Sequence, residues 1–278
     1  MSGCCATGWW PRPAEVESMD RRTLGRSEIA VPAIGMGTWR TFDTDEDRRP
    51  LVNVAIASGI DLFDSSPMYG RAEAVLARAL AGIRERVLVA TKIWTSSAEE
   101  GAAQADHALR LFGHVDIYQV HNLVNVPAQL ALLERLRSEG KVRALGATHY
   151  QESAFADLAA LMRSKRLDMV QIPYNPLRRT AERELLPLAE SLGLGVLVMS
   201  PLQQGILDRR PSPAQLKELG VATWAQAVLK WVASDSRVST VLTATQQTDH
   251  VRENALAGDP PSFTPEQRGL VSRIAEHS

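Results

Sequence analysis

Four polar residues stand at the ends of strand-like apolar runs in the first half of the chain. Asp64 and Tyr69 follow the run 60–63 and are five positions apart, and Lys92 and His121 end the next two runs. An ammonium group close to a phenol stabilises the ionised phenol and lowers its pKa, so a lysine can make a tyrosine a better proton donor. With Asp64 holding the ammonium and His121 orienting a carbonyl group, the set suits proton donation to a carbonyl oxygen as a hydride reaches its carbon.

Each of these residues also has a structural interpretation when it is taken alone. Asp64 could cap a helix, Tyr69 could pack with its hydroxyl at the surface, Lys92 could form a salt bridge, and a single histidine is more often structural than catalytic. The joint pattern favours chemistry, because all four residues fall at the C-terminal ends of consecutive strands, where barrel enzymes carry their catalytic groups.

Two other kinds of catalytic site are disfavoured. The chain has no His-x-His pair and no H-E-x-x-H motif, so no catalytic metal is expected. A Ser–His–Asp hydrolase is also disfavoured, because the chain lacks a G-x-S-x-G elbow.

The elements that must position the four residues recur at intervals of about 27 residues, except for a longer interval before the last one. Apolar, strand-like runs begin near Ala33, Ile60, Val87, Val115, Val142, Asp168, Gly195 and Val238. Helical patterns separate them at 49–58, 72–81, 98–112, 127–139, 153–164, 181–192 and 223–233. Eight strands that alternate with helices predict parallel pairing and closure into a (β/α)8 TIM barrel.

Segments outside this alternation are also predicted. A small hairpin at 21–32 precedes the first barrel strand and plugs one end of the barrel, and 203–222 is a surface loop. Two further helices, at 248–257 and 265–277, follow the last strand, so the barrel carries an extra C-terminal helix. We expect one barrel domain over 19–278, preceded by a flexible tail at 1–18.

Composition and charge limit the partners and the compartment. Hydrophobic residues make up 45% of the 278 residues, and 31 basic residues nearly balance 32 acidic ones, so no long-range field favours nucleic acid or an anionic membrane surface. Cys4 and Cys5 are adjacent and the only cysteines, which fits a reducing compartment. No signal peptide and no membrane span is evident, so we expect a cytoplasmic protein that is a monomer or a weak homo-oligomer.

The chain resembles the aldo-keto reductase family over residues 19–277. The resemblance rests on GMGTW at 35–39, DLFDSSPMYG at 61–70, TKIW at 91–94, YQVHN at 118–122, VQIPYN at 170–175, SPLQQG at 200–205 and HVREN at 250–254. It maps the family's catalytic tetrad onto Asp64, Tyr69, Lys92 and His121 with the spacing of five kept. The resemblance implies NADPH bound across the C-terminal face of the barrel.

The cofactor residues implied by the resemblance follow several strands. Thr148, His149 and Gln171 would hold the nicotinamide carboxamide, with Met199 where relatives stack a tyrosine. Ser200, Leu202 and Gln204 would line the pyrophosphate, and Glu253 and Asn254 would reach the adenine. The remaining positions of the implied cofactor site are Gly37, Thr38, Trp39, Asp64, Pro201, Thr243, Ala244, Thr245 and His250.

The 2′-phosphate position departs from the family's pattern. Where many relatives carry Lys-Ser and a downstream Arg, this chain has Ala244, Thr245 and His250, which leaves Arg252 as the nearest permanent cation. Without a charge-assisted clamp, discrimination against NADH should fall. NADPH is expected first, with NADH also usable.

The predicted function is NAD(P)H-dependent reduction of a small-molecule aldehyde or ketone, with Tyr69 as proton donor. An alternative from another class is a cofactor-binding sensor or regulatory protein that keeps the barrel with little turnover. A lyase or isomerase with a retained cofactor is a further alternative. Trp39 and Trp94 are predicted to wall an apolar substrate pocket, although each also fits a core position.

Overall fold

The eight-stranded barrel expected from the sequence is present. The computed structural model describes residues 19–203 and 205–277, so the predicted tail at 1–18 and the candidate residue Gln204 lie outside the described residues. A hairpin comes first, formed by the antiparallel strands β1 (Arg21–Thr23) and β2 (Ala30–Pro32). The barrel strands are β3 (Ile34–Gly37), β4 (Leu62–Asp64), β5 (Leu88–Ile93), β6 (Val115–His121), β7 (Val142–Thr148), β8 (Met169–Pro173), β9 (Gly195–Met199) and β10 (Thr240–Thr243).

These strands pair in parallel in chain order, and β10 closes the barrel against β3. All eight begin within two residues of their predicted starts. The apolar runs therefore predicted the positions of the strands, including the last one, which follows a longer interval, and the fold prediction is confirmed.

The helices that connect the strands cover the outside of the barrel. They are α1 (Arg49–Ala57), α2 (Ala72–Ala79), α3 (Ala98–Phe112), α4 (Val126–Ser138), α5 (Phe155–Arg163), α6 (Leu185–Leu192), α7 (Pro213–Leu219), α8 (Trp224–Ala233), α9 (Thr248–Ala255) and α10 (Pro265–Glu276). In α3 the buried residues Gly101, Ala105, Ala108 and Phe112 recur at helical spacing, so they form one face against the barrel. The Ser97 hydroxyl accepts a hydrogen bond from Glu100 N and starts this helix.

The predicted surface loop at 203–222 is wrong in part, because it contains α7. The local signal for this helix is a capping box: Ser212 and Gln215 satisfy each other's backbone N–H groups, and Pro213 occupies the first turn. Ala181 was also expected to begin α6, which begins four residues later at Leu185. The two helices expected after the last strand are present as α9 and α10.

The hairpin closes the N-terminal end of the barrel, as predicted. Its residues Leu24, Ile29 and Val31 are buried in one cluster with inward-facing strand residues. Gly25 has φ +54°, and a Cβ atom there would lie 2.2 Å from Gly195 N at the start of β9. Only glycine allows the hairpin to approach the strand starts this closely. No described helix is long and apolar enough to cross a membrane.

Candidate active site

The alternation of side chains along each strand explains which residues reach the C-terminal mouth of the barrel. Leu62, Ala90 and Ile117 fill the interior near the hairpin, and the residues two positions later on the same strands are Asp64, Lys92 and Gln119. Successive side chains of a strand point to opposite faces, so residues two apart share a face. The apolar interior therefore gives way to a polar layer, and His121 adds the next inward position of β6.

Lys92 and Asp64 form a buried ion pair in this layer. Lys92 Nζ lies 2.6 Å from Asp64 Oδ2 and 2.8 Å from the backbone oxygen of Ser65, and Lys92 is only 1% exposed. Hydrogen bonds from two glutamine amides also reach the carboxylate, from Gln119 Nε2 to Oδ1 at 3.1 Å and from Gln171 Nε2 to Oδ2 at 3.3 Å. A buried carboxylate with this many donors is held in one orientation.

Gln119 was not among the site residues predicted from the sequence. It sits two positions before His121 within the motif YQVHN, and it is fully buried. The available signal was the period of two on β6, which puts Gln119 and His121 on the same face of the strand. A polar residue at an inward position of a buried strand needs a partner, and here that partner is Asp64.

Tyr69 lies on a short 3-10 turn, Pro67–Tyr69, that follows β4. Lys92 Nζ is 5.2 Å from the centroid of its ring. Burial raises the pKa of Tyr69, Lys92 lowers it and Asp64 raises it, and the net pKa lies above the ordinary value. Lys92 does lower the pKa of Tyr69, as expected. Burial raises this pKa by more than Lys92 lowers it, so the expected net decrease is wrong.

The charge state of Lys92 is set by the same balance. Burial alone would lower the pKa of Lys92, but Asp64 and then Tyr69 more than offset it, so the pKa lies above the ordinary value. The ammonium group stays charged across neutral pH as a result. Asp64, Lys92 and Tyr69 together form a unit with one negative charge, one positive charge and a neutral phenol.

His121 is neutral, and its ring is held by a hydrogen bond to Ser66, which precedes the turn that carries Tyr69. Its Nδ1 lies 2.8 Å from Ser66 Oγ, and its ring meets the ring of Tyr69 edge-on at a centroid distance of 5.8 Å. Burial, followed by the charges of Lys92 and His149, lowers the pKa of His121 to about 2. The imidazole can therefore donate or accept one hydrogen bond at the mouth without adding a charge.

Two buried polar atoms on the neighbouring strands β7 and β8 fit a carboxamide. Thr148 and Gln171 are partners in the β7–β8 register, and Thr148 Oγ1 and Gln171 Oε1 have no hydrogen-bond partner among the described residues. A carboxamide has N–H groups that could donate a hydrogen bond to Gln171 Oε1. It also has an oxygen that could accept a hydrogen bond from the Thr148 hydroxyl. Buried polar atoms without partners are uncommon in folded proteins, so this pair could receive a polar ligand group such as a carboxamide.

His149, the third residue expected near the carboxamide, is half-buried. Its Nδ1 accepts a hydrogen bond from Gln151 N at 3.1 Å, and its ring stacks on Tyr150 at a centroid distance of 5.6 Å. Only its Nε2 is then left for a ligand. Met199, at the end of β9, is also half-buried.

The remaining predicted cofactor residues lie at the ends of β3, β9 and β10. Thr38 is tied to the tetrad, since its hydroxyl donates to Ser65 Oγ at 2.9 Å and its N–H donates to the backbone oxygen of Asp64. Trp39 is 42% exposed and the guanidinium of Arg40 lies over its ring. The other described residues of this group are Gly37, Ser200, Pro201, Leu202, Thr243, Ala244 and Thr245.

Two of the residues expected near the 2′-phosphate and adenine are engaged within the protein. Arg252 Nη1 is paired with Asp249 Oδ1 at 2.7 Å, and both side chains are exposed. The Glu253 carboxylate accepts a hydrogen bond from the Thr223 hydroxyl, and Asn254 is buried within the fold. His250 is exposed beside them on α9. The guanidinium of Arg252, the permanent cation expected nearest to the 2′-phosphate, is therefore already paired with a carboxylate.

The two tryptophans that were predicted to wall the substrate pocket are exposed. Trp39 and Trp94 are each 42% exposed, at the ends of β3 and β5 on either side of the turn that carries Tyr69. Core positions would be buried, so the alternative interpretation of these two tryptophans as core residues is wrong. Among the described residues, no group of three or more His, Cys, Asp or Glu side chains could hold a metal ion.

Comparisons with known proteins agree on one family. The model of the aldo/keto reductase family matches residues 33–276. The chain is 27% identical to an NADH-specific methylglyoxal reductase of Escherichia coli, over 86% of this chain and 93% of that protein. It is 32% identical to a 6-dehydroglucose reductase of Novosphingobium aromaticivorans, over 74% of this chain and 76% of that protein.

A solved structure has the same fold. It is an aldo/keto reductase from Klebsiella pneumoniae in complex with NADP and acetate, and it superposes with a TM-score of 0.78 at 24% sequence identity. The match covers 91% of this chain and 95% of the Klebsiella chain.

Proposed function

Because the chain belongs to the aldo/keto reductase family, we propose that it reduces the carbonyl group of an aldehyde or a ketone with a reduced nicotinamide cofactor. The observation that carries the proposal is the buried Asp64–Lys92 ion pair beside Tyr69 at the mouth of the barrel. A fixed cation next to a half-buried phenol supports proton donation, because it stabilises the phenolate that forms when the proton leaves.

The reaction needs a hydride at the carbonyl carbon and a proton at the carbonyl oxygen. The bound nicotinamide would supply the hydride, with Thr148 and Gln171 holding its carboxamide. Tyr69 would supply the proton: its raised pKa keeps the phenol protonated at neutral pH, and an alkoxide is a stronger base than a phenolate, so the transfer is downhill. The Lys92 ammonium would then stabilise the Tyr69 phenolate until the phenolate takes up a proton again.

Asp64 and His121 would support this proton transfer without giving up a proton themselves. Asp64, held by two glutamine amides, keeps the Lys92 ammonium in place and balances its charge in a buried site. His121 would orient the carbonyl oxygen by a hydrogen bond. Because the imidazole is neutral, it leaves Tyr69 as the group that gives up a proton.

For the cofactor, we expect NADPH to bind and NADH to be usable. The Klebsiella structure contains NADP, and the Escherichia coli relative is named as NADH-specific. In this chain, Arg252 is the cation nearest to the expected 2′-phosphate in sequence, and it is already paired with Asp249. This pairing supports weak discrimination between the two cofactors.

Tyr69→Phe tests the proposed acid. This variant leaves the Asp64–Lys92 pair intact, whereas a change at Lys92 would leave a buried carboxylate uncompensated and confuse catalysis with stability. We expect kcat to fall by about 10²-fold to 10⁴-fold, since one positioned acid contributes about that much. Cofactor affinity, measured by fluorescence titration, should stay nearly unchanged.

Tyr150→Phe is the matched control, because Tyr150 is 51% exposed at the same rim and its hydroxyl makes no hydrogen bond to a described residue. It should keep full turnover. Normal reduction of a reactive aldehyde by Tyr69→Phe would show that another group is the acid. A wild-type protein that binds NADPH but does not oxidise it in a single turnover, against a panel of aldehydes, ketones and sugars, would favour the sensor alternative.

A further inference from the structure

Ser66 lies between the turn that carries Tyr69 and the ring of His121. Its Oγ is 2.8 Å from His121 Nδ1 and 3.2 Å from Met68 N, which donates to it. Ser66 has no exposed surface and His121 is only 6% exposed. Because solvent does not reach the hydroxyl, its proton and its lone pairs must be satisfied by these two neighbours.

Counting protons at Ser66 decides the direction of the bond to His121. The backbone N–H of Met68 can only donate, so it occupies a lone pair of Oγ. The hydroxyl proton then needs an acceptor, and His121 Nδ1 is the atom within reach. If Nδ1 carried a proton instead, it would donate to Oγ and leave the hydroxyl proton buried without an acceptor. That arrangement should be about 5-fold to 150-fold less populated.

The second ring nitrogen of His121 must therefore carry the proton. The ring is neutral, because burial, Lys92 and His149 disfavour the charged form, so only one nitrogen is protonated. With Nδ1 as an acceptor from Ser66, Nε2 is the N–H donor. No hydrogen bond to a described residue uses Nε2.

We propose that Ser66 is a positioning residue that holds His121 in the Nε2–H tautomer, so that His121 donates a hydrogen bond to the carbonyl oxygen of the substrate. This inference rests on the proposed reduction of a carbonyl group, since only an acceptor oxygen at the mouth makes the choice of tautomer matter. The same hydroxyl also begins the turn Pro67–Tyr69. One serine thus aligns two donors, the phenol and the imidazole, on one oxygen atom.

The backbone of Ser66 does not itself require a serine. Its φ of −168° and ψ of 147° are extended, so most residue types can adopt them. The requirement is for the hydroxyl group, which alanine lacks and threonine shares. Ser66→Ala and Ser66→Thr therefore separate the hydroxyl from the fold of the turn.

The experiment is nitrogen NMR of protein labelled with ¹⁵N-histidine, with the His121 signals assigned from their loss in His121→Asn. In the wild-type protein we expect a pyrrole-type Nε2 and a pyridine-type Nδ1. In Ser66→Ala the two forms should mix, kcat should fall about tenfold and cofactor affinity should not change. Ser66→Thr keeps the hydroxyl group, so it should keep the Nε2–H tautomer of His121 and the wild-type kcat.

Ser97→Ala is the control, because Ser97 caps α3 in the same way and does not contact the tetrad. It should change neither the His121 signals nor kcat. A pyrrole-type Nδ1 in the wild-type protein, or unchanged His121 signals in Ser66→Ala, would overturn the inference. If the wild-type protein has the Nε2–H form but reduces no carbonyl compound, the proposed reaction fails, and the role of Ser66 as a setter of the tautomer stands without a substrate.

Discussion

At the scale of single residues, burial alters the chemistry that residue types suggest. Tyr69 next to Lys92 suggests an acidic phenol, yet its pKa is raised because burial outweighs the ammonium group. His121 suggests a group that titrates near neutral pH, yet its pKa is lowered to about 2. The proposed reduction is compatible with both changes, because a proton donor must hold its proton until the oxygen becomes basic.

Glu73 is a buried carboxyl group on α2 that takes no part in the proposed reaction. It accepts a hydrogen bond from the Thr91 hydroxyl at 2.5 Å and is 5% exposed. Burial raises its pKa to about 7 from the ordinary 4.5, against the opposing effects of Thr91 and Lys92. The folded protein thus keeps this proton over a pH range in which the unfolded chain releases it.

Glu73 should therefore make the protein less stable as the pH rises. Its stabilising contribution to the free energy of unfolding is complete below pH 4.5, declines between pH 4.5 and 7, and is lost above that range. The total change is about 3 kcal/mol. Glu73→Gln keeps an acceptor for Thr91 and cannot ionise. We expect its free energy of unfolding, relative to the wild-type protein, to increase steadily from pH 5 to pH 8 in urea titrations. Glu190→Gln, which removes a carboxyl group at an exposed position of α6, is the control.

At the scale of elements, α9 carries the charges that we propose lie near the 2′-phosphate of the cofactor. Arg252 and Asp249 are three positions apart on this helix and form an exposed pair. Such pairs contribute about 0.2–1 kcal/mol, so Asp249 restrains the guanidinium only weakly.

Removing Asp249 should shift cofactor preference toward NADPH. We expect Asp249→Ala to raise the ratio of NADPH to NADH affinity by up to about fivefold, because Arg252 is released. Arg252→Ala should lower the same ratio and leave NADH affinity unchanged. Fluorescence titration of both cofactors measures the ratio. Equal ratios in the wild-type protein and both variants would mean that the 2′-phosphate does not meet α9.

At the scale of the whole molecule, the barrel separates stability from chemistry at its two ends. The hairpin residues Leu24, Ile29 and Val31 pack into the interior at the N-terminal end. The tetrad lies at the C-terminal ends of the strands, with the apolar interior layer between them. A change in the hairpin should therefore alter the free energy of unfolding without altering the geometry of the tetrad.

Leu24→Ala tests this separation. Leu24 is fully buried, so we expect the variant to lose about 2–5 kcal/mol of unfolding free energy. Its kcat at a temperature where it is folded should match that of the wild-type protein. Leu256→Ala, at a position that is 54% exposed, should change stability by less than about 0.5 kcal/mol. A large fall in kcat of folded Leu24→Ala would contradict the separation.

Much of the fold and the identity of the four central residues followed from the sequence by itself. The eight strands were predictable because each is a local apolar run, and the spacing of the runs leaves few ways to pair them. The convergence of Asp64, Lys92 and His121 was predictable because parallel strands bring their C-terminal ends to one face. The helix α7 was also readable from its capping box, although the loop prediction overlooked it.

Only the tertiary structure decided how these residues are held and charged. Gln119 and Asp64 are 55 positions apart, as are Ser66 and His121, and no local pattern specifies such contacts. The pKa values of Tyr69, His121 and Glu73 depend on how far each group is removed from water and on which charges surround it. Sequence determined which groups reach the mouth of the barrel, and packing determined their protonation, because desolvation is a property of the assembled fold.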